Sequence, residues 1–286
     1  MSDDLPALNV AIGAYPHTEA LRAGRVASER LRLDFADVRP INRAFAPMVR
    51  EGRFAVSEMA IGTFLQARAY GRPLVLLPVV LAARTQEAAL LCRKDGAVRG
   101  PADLAGRRVG VRAYSQTTGL WLRGTLAEAH GVRPDSVEWI TFEDAHVAEV
   151  RDPPFARRAA PGRDMMAMLR DGALDAVVVG NDVPDDPGLT TVFPDPAAAG
   201  AAFRARHGFV PVNHLLTARR DVFEARRPEV DELLRLVAAS AALAPPRDFA
   251  VATTPDALGP AVALALHYAT EQGLLPGPLS PAELWA

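Results

Sequence analysis

The chain has 286 residues, 49% of them apolar, and a net charge of −2; this excludes collagen, a long coiled coil and wholesale disorder and leaves room for two ordinary domains. No basic excess marks a nucleic-acid surface, and the single cysteine, Cys92, excludes an intrachain disulfide or a thiolate metal cluster. The longest apolar run, residues 74–83, is too short to cross a bilayer.

The N-terminal run MSDDLPALNVAIG is acidic and lacks the basic-then-apolar pattern of an export signal. The expected location is therefore the cytoplasm, or the periplasm if a signal has been removed. In chain order, strands are expected over 8–12 and 31–35, a helix over 42–50 and a short strand at 54–56. Ser57 reads as the cap of a helix running to residue 69, with Gly71 and Pro73 beyond its end. Runs 74–81 and 88–93 read as buried strands. The segment from Pro101 to Val111 reads as turn, short helix, turn and strand, and Ser115-Gln116-Thr117-Thr118 opens a helix that Gly131 closes. A strand follows over 137–142, then a Pro-bearing loop over 143–162, a helix over 163–170 and a strand over 175–179. A helix over 197–206 and a strand over 210–218 precede a tail of helices with no further strand. Strands alternating with helices argue an α/β class with largely parallel sheets.

Candidate site residues cluster where strands end, since open α/β sheets bind ligands at the carboxyl ends of their strands. Ser115, Thr117 and Thr118 offer hydroxyls and unpaired backbone N–H groups for a carboxylate or phosphate. Arg112 and Tyr114, at the preceding strand's end, add a charge and a stacking face. Ser57 and Glu58 sit where a strand meets a helix whose first-turn N–H groups favour anions, but from sequence alone they read first as an ordinary cap with an acid in the first turn. His17 follows the first strand, and Asn181 follows the strand at 175–179. His214 has apolar neighbours and reads from pattern alone as a core histidine. His17, His214, Glu58, Asp144 and His146 also carry donors that a divalent metal accepts, although no tight metal-binding spacing occurs and no motif implies a cofactor. The absence of a Walker A run, a G-x-G-x-x-G turn and a G-x-S-x-G elbow argues against nucleotide binding and serine hydrolysis.

The run PADLAGRRVGV, followed by RAYSQTTGLWLRG, resembles the entry into the second lobe of type II periplasmic-binding-protein folds. FAVSEMAIGTFLQARAYG, PLVLLPVVLAAR, ALLCRKDGAVRGPADL and HGFVPVNHLLTARR narrow the resemblance to the 4,5-dihydroxyphthalate decarboxylase-like family, which is related to the substrate-binding proteins of ABC importers. The run FEDAHVAEVRDPP departs from the Gly-rich segment that the family leads one to expect there. The resemblance implies a two-lobed fold with a ligand cleft between lobes and a helical C-terminal tail. Lobe 1 would comprise residues 1–93 and 206–286, and lobe 2 residues 94–205. It also implies that Ser57 and Glu58 lie at the cleft and that His214 matches a histidine there. The activity implied is decarboxylation of a hydroxylated aromatic carboxylate, with Arg112, Thr117 and Thr118 as anchors, His214 or His17 as proton donor and Glu58 receiving a ring hydroxyl proton. The same cleft equally suits a non-catalytic binding protein for a small organic anion, linked to an ABC permease or a sensor, and an enzyme of another pathway stays open as well.

Overall fold

A computed structural model describes residues 5–180 and 183–285. The chain begins β1 (Ala7–Ala11), α1 (Glu19–Arg22), β2 (Arg32–Phe35), α2 (Phe45–Glu51), β3 (Val56–Ala60), α3 (Ile61–Ala69) and β4 (Leu74–Ala83). It continues through β5 (Leu90–Arg93), β6 (Arg108–Val111), α4 (Thr117–His130), β7 (Glu138–Thr141), β8 (Ala156–Arg158), α5 (Met165–Arg170), β9 (Ala176–Val178), β10 (Leu189–Thr191) and α6 (Pro196–His207). It ends with β11 (Val212–Arg219), α7 (Arg220–Ala225), α8 (Arg227–Ala242) and α9 (Pro255–Glu271). Two compact units result. The first comprises Met1–Ala83, Val212–Ala263 and Leu279–Ala286, and the second Arg84–Pro211 and Leu264–Pro278.

The first unit holds a five-stranded sheet in the order β2-β1-β3-β11-β4. β1 runs parallel to β2 and β3, whereas β11 runs antiparallel to β3 and β4. Alternation along β1 turns Leu8, Val10 and Ile12 to one face, where they pack with Leu77, Val79 and Leu216. Val230, Leu233 and Val237, at helical spacing on α8, belong to the same cluster.

The second unit holds a six-stranded sheet, β10-β5-β9-β6-β7-β8. β9, β6, β7 and β8 run parallel to one another, and β5 is antiparallel to both β10 and β9. Both sheets are thus mixed, not largely parallel. The expected loop over 143–162 contains β8, a three-residue strand too short to show periodicity.

The expected cap at Ser57 is corrected. Ser57 lies inside β3, and α3 starts at Ile61 with Ala60 before it. β3 pairs along its whole length with β11 and, at Val56 and Ser57, also with β1, so its backbone polar groups are taken up by ladder hydrogen bonds. The Ser57 hydroxyl donates to the Glu58 carbonyl at 2.8 Å, and the Thr217 hydroxyl donates to the Ser57 carbonyl at 3.0 Å.

Helix α4 is buried along residues 117–126 and is closed, as expected, by Gly131, whose φ of 67° lies in the left-handed region open to glycine. Its Trp121 meets Phe203 and Tyr268 edge-on. No helix among the described residues is long and apolar enough to cross a membrane.

The contact between α4 and α9 is close at Gly124, where a Cβ would lie 2.1 Å from the Tyr268 ring. Gly124→Ala is therefore expected to lose about 1–3 kcal/mol through overpacking, more than the roughly 1 kcal/mol that alanine adds to a helix interior. Urea denaturation checks this; an unchanged or higher midpoint would mean the two helices do not pack as described.

Candidate functional site

The site in the first unit is built on strand register. β11 pairs with β3 so that Leu216 faces Glu58 and His214 faces Ala60. Directly opposed residues share a sheet face, and residues two apart on one strand do as well. Glu58 and His214 are therefore diagonal neighbours on one face, though 156 positions apart in sequence. β1 lies parallel to β3 on the other side and delivers the loop that starts at Gly13.

Glu58 is 0% exposed, and three donors converge on its carboxylate. Gly13 N–H donates to Oε2 at 2.8 Å, Tyr15 O–H donates to Oε1 at 2.5 Å, and His214 Nδ1 lies 2.6 Å from Oε1. Gly13 must approach closely: a Cβ there would lie 2.7 Å from the Tyr15 ring and 3.0 Å from Glu58 Oε2. Thr18 sets the loop, its hydroxyl donating to the Gly13 carbonyl at 2.7 Å and accepting from Tyr15 N–H at 2.9 Å. Burial, then the charge of Glu58 and the hydrogen bond to it, push the Tyr15 hydroxyl far above its ordinary range, so it stays a donor.

With Nδ1 donating to a carboxylate, the neutral His214 ring keeps its lone pair on Nε2. The His214 side chain is 21% exposed and stands edge-on to Phe45 at 5.2 Å. A carboxylate behind an imidazole also stabilises the imidazolium when Nε2 takes up a proton.

His17 is only 4% exposed and stacks on Tyr15, with ring centroids 5.1 Å apart. Its Nε2 is buried without a hydrogen-bond partner. Burial, then the Arg247 charge, hold this imidazole below the usual histidine range, against a backbone hydrogen bond at Leu81 and the pull of Glu58. His17 is accordingly neutral at pH 7.

The second unit places Thr117 and Thr118 in the first turn of α4, with Gln116 before them. This start lies at the carboxyl end of β6, which is flanked by the parallel strands β7 and β9. Ser115, Thr117 and Thr118 are all buried, and Arg84 donates to the Thr118 hydroxyl at 3.2 Å. Arg112 instead makes a half-exposed ion pair with Glu143 at 3.0 Å. Tyr114 is interior, 1% exposed. Its hydroxyl donates to the Gln272 carbonyl at 3.1 Å, and Arg123, Trp139 and Phe155 surround its ring. Asn181 lies outside the described residues.

The structure thus brings Glu58, His214 and His17 into one neighbourhood and gathers Ser115, Thr117 and Thr118 at one helix start. Among the described residues no three His, Cys, Asp or Glu side chains form a metal-binding group. Asp144 pairs with Arg158 instead. Sequence reasoning missed Gly13, Tyr15 and Arg84. Tyr15 had one available signal, its place two residues before His17 in the loop after a parallel strand.

Comparison with known proteins bears out the resemblance and the fold class. The family model described as "NMT1/THI5 like" matches residues 40–152. A protein of Comamonas testosteroni named 4,5-dihydroxyphthalate decarboxylase is 26% identical over 76% of this chain and 69% of its own length. One of the same name from Pseudomonas putida is 26% identical over 60% of this chain and 69% of its own. Among solved structures, the alkanesulfonate-binding protein of Xanthomonas axonopodis pv. citri, bound to MOPS, superposes with a TM-score of 0.54 at 16% identity, over 99% of this chain and 83% of that one. The periplasmic aliphatic sulphonate binding protein of Escherichia coli gives 0.53 at 15% identity, over 97% and 88%. In sequence the chain is similar to proteins named 4,5-dihydroxyphthalate decarboxylase, and its fold is that of the periplasmic binding proteins.

Proposed function

We propose that the protein decarboxylates a hydroxylated aromatic carboxylate of the 4,5-dihydroxyphthalate kind, with His214 as the proton donor. The observation that carries this reading is the 2.6 Å contact between His214 Nδ1 and the fully buried Glu58 carboxylate. The relatives' name supports the substrate class.

Loss of CO₂ from an arene requires a proton at the carbon that bears the carboxylate. Imidazolium Nε2–H of His214 supplies it, and a C–H bond forms. The C–CO₂ bond then breaks, its electron pair restores the aromatic ring, and CO₂ leaves. A hydroxyl para to the carboxylate pushes electron density onto that carbon and eases protonation. Glu58 stabilises the imidazolium until the proton is given up. Gly13 N–H and Tyr15 O–H satisfy the buried oxygens of Glu58. These contacts occupy Glu58, so the expected role as acceptor of a ring hydroxyl proton passes out of the proposal. His17 is neutral at pH 7, so it has no imidazolium proton to give. In the second unit, the hydroxyls and N–H groups at the α4 start suit a carboxylate.

A second reading is capture of a small anion without chemistry, with delivery to a membrane permease. One observation favours it: the fold neighbours are sulfonate-binding proteins, one of them with MOPS bound.

One plate separates the two. 4,5-Dihydroxyphthalate, 3,4-dihydroxybenzoate and aliphatic sulfonates are each scored for melting shift and for CO₂ release. A ligand at about 100 times its Kd stabilises by roughly 2.7 kcal/mol, and the decarboxylase reading predicts both signals with the first compound. A shift without CO₂ supports capture, and neither signal removes the substrate class. His214→Gln is expected to cut turnover by about 10²–10⁴-fold; turnover equal to wild type would assign the proton to another group.

The His17 environment predicts a pH dependence of stability. Its ring resists protonation when folded and accepts a proton when unfolded near the ordinary value of about 6.5. Stability is therefore fully present above about pH 6.5 and falls as the pH drops below it. Thermal melts at pH 7.5 and 5.5 should show a smaller acid-side loss in His17→Phe than in wild type; parallel losses would rule out His17 as the source.

A further inference from the structure

The geometry points to Arg123 as a positioning residue: a permanent cation, buried behind the α4 start, that makes the Ser115–Thr118 segment attractive to anions without touching them. This rests on the anion-binding reading of that segment. Arg123 is 1% exposed, and no carboxylate among the described residues forms an ion pair with it. Its partners are neutral: Nε donates to Gln272 Oε1 at 2.8 Å, and NH2 donates to the Tyr114 carbonyl at 2.6 Å. Its guanidinium carbon lies 3.9 Å from the Tyr114 ring centroid and 5.0 Å from that of Trp139. NH1 is buried without a partner.

Two of these details aim the charge. The Tyr114 carbonyl it holds is the last before Ser115. NH1 lies against the first turn of α4, where a Cβ on Gly119 would stand 2.9 Å from it. A buried charge whose hydrogen-bond partners are all neutral is costly; the Asp152 carboxylate also acts on it electrostatically, and its field is weakly screened by the surrounding protein. It adds to the partial positive charge of the N-terminal turn of a 14-residue helix. The lone pairs of Tyr114 and Gln272 and the two ring faces keep the guanidinium in place. The ligand's negative charge then completes an electrostatic pair whose positive member is preorganised inside the unit.

The test needs no ligand. A thiol at position 115 reports the local potential through its titration, followed by thiolate absorbance. Ser115→Cys is made in a Cys92→Ala background, which removes the native free thiol. Adding Arg123→Met, an apolar replacement of similar length, should raise the titration midpoint by about 1 pH unit or more, and Arg123→Lys should restore most of the lower value. If Arg123→Met does not fold, Gly119→Ala gives the same readout by crowding NH1 away, and its midpoint should also rise. An unchanged midpoint in the folded variant overturns the proposal. Failure of the ligand plate leaves this readout intact, so loss of the anion-binding reading and loss of the Arg123 role are separate results.

Discussion

A carboxylate with no solvent exposure organises the first unit. Glu58 sits inside a central strand, where an ionised carboxylate costs several kcal/mol unless its oxygens are satisfied. Three donors meet it, and hydrogen bonds to charged groups contribute about 1.5–3 kcal/mol each. They come from two parts of the unit: Gly13 and Tyr15 from the loop after β1, His214 from β11. The loop conformation, the absence of a side chain at Gly13 and the register of β11 against β3 are all conditions of that one arrangement. The orientation of His214 follows from it, and so does the chemistry available at its other nitrogen.

Much of the fold is legible from periodicity. The alternation of Leu8, Val10 and Ile12, the helix ended by Gly131 and the amphipathic spacing on α8 are local facts that survive folding. Ser57 shows where local reading fails. A serine followed by a glutamate before an apolar run has the pattern of a capped helix, yet pairing with β11, and with β1 at Val56 and Ser57, keeps residues 56–60 extended. Long-range ladder bonds override a local preference there. β8 and β10 are too short for any period to show.

The site was legible in kind but not in wiring. His17 stands out after a strand end, whereas Glu58 and His214 read from pattern as a capping acid and a core histidine that only the resemblance singles out, and only the antiparallel register places Glu58 beside His214. Tyr15 reads as an ordinary loop aromatic until its hydroxyl is seen on Glu58. Arg84 and Arg123 are two arginines in an arginine-rich chain, and no local signal separates a buried one from a solvated one. Tyr114, at a strand end, looks available to a ligand but is enclosed by Arg123, Trp139 and Phe155.

Fold alone does not decide between chemistry and capture. The proposed decarboxylase reading rests on a buried glutamate behind a partly exposed imidazole. Its central claim is that Glu58 is an anion that fixes the proton of His214 on Nδ1. ¹⁵N NMR of the histidine rings, at a pH where His214 is neutral, measures this directly. The account predicts a protonated Nδ1 and a bare Nε2 in the wild type, with that preference lost in Glu58→Gln. A wild-type ring protonated on Nε2 would contradict it.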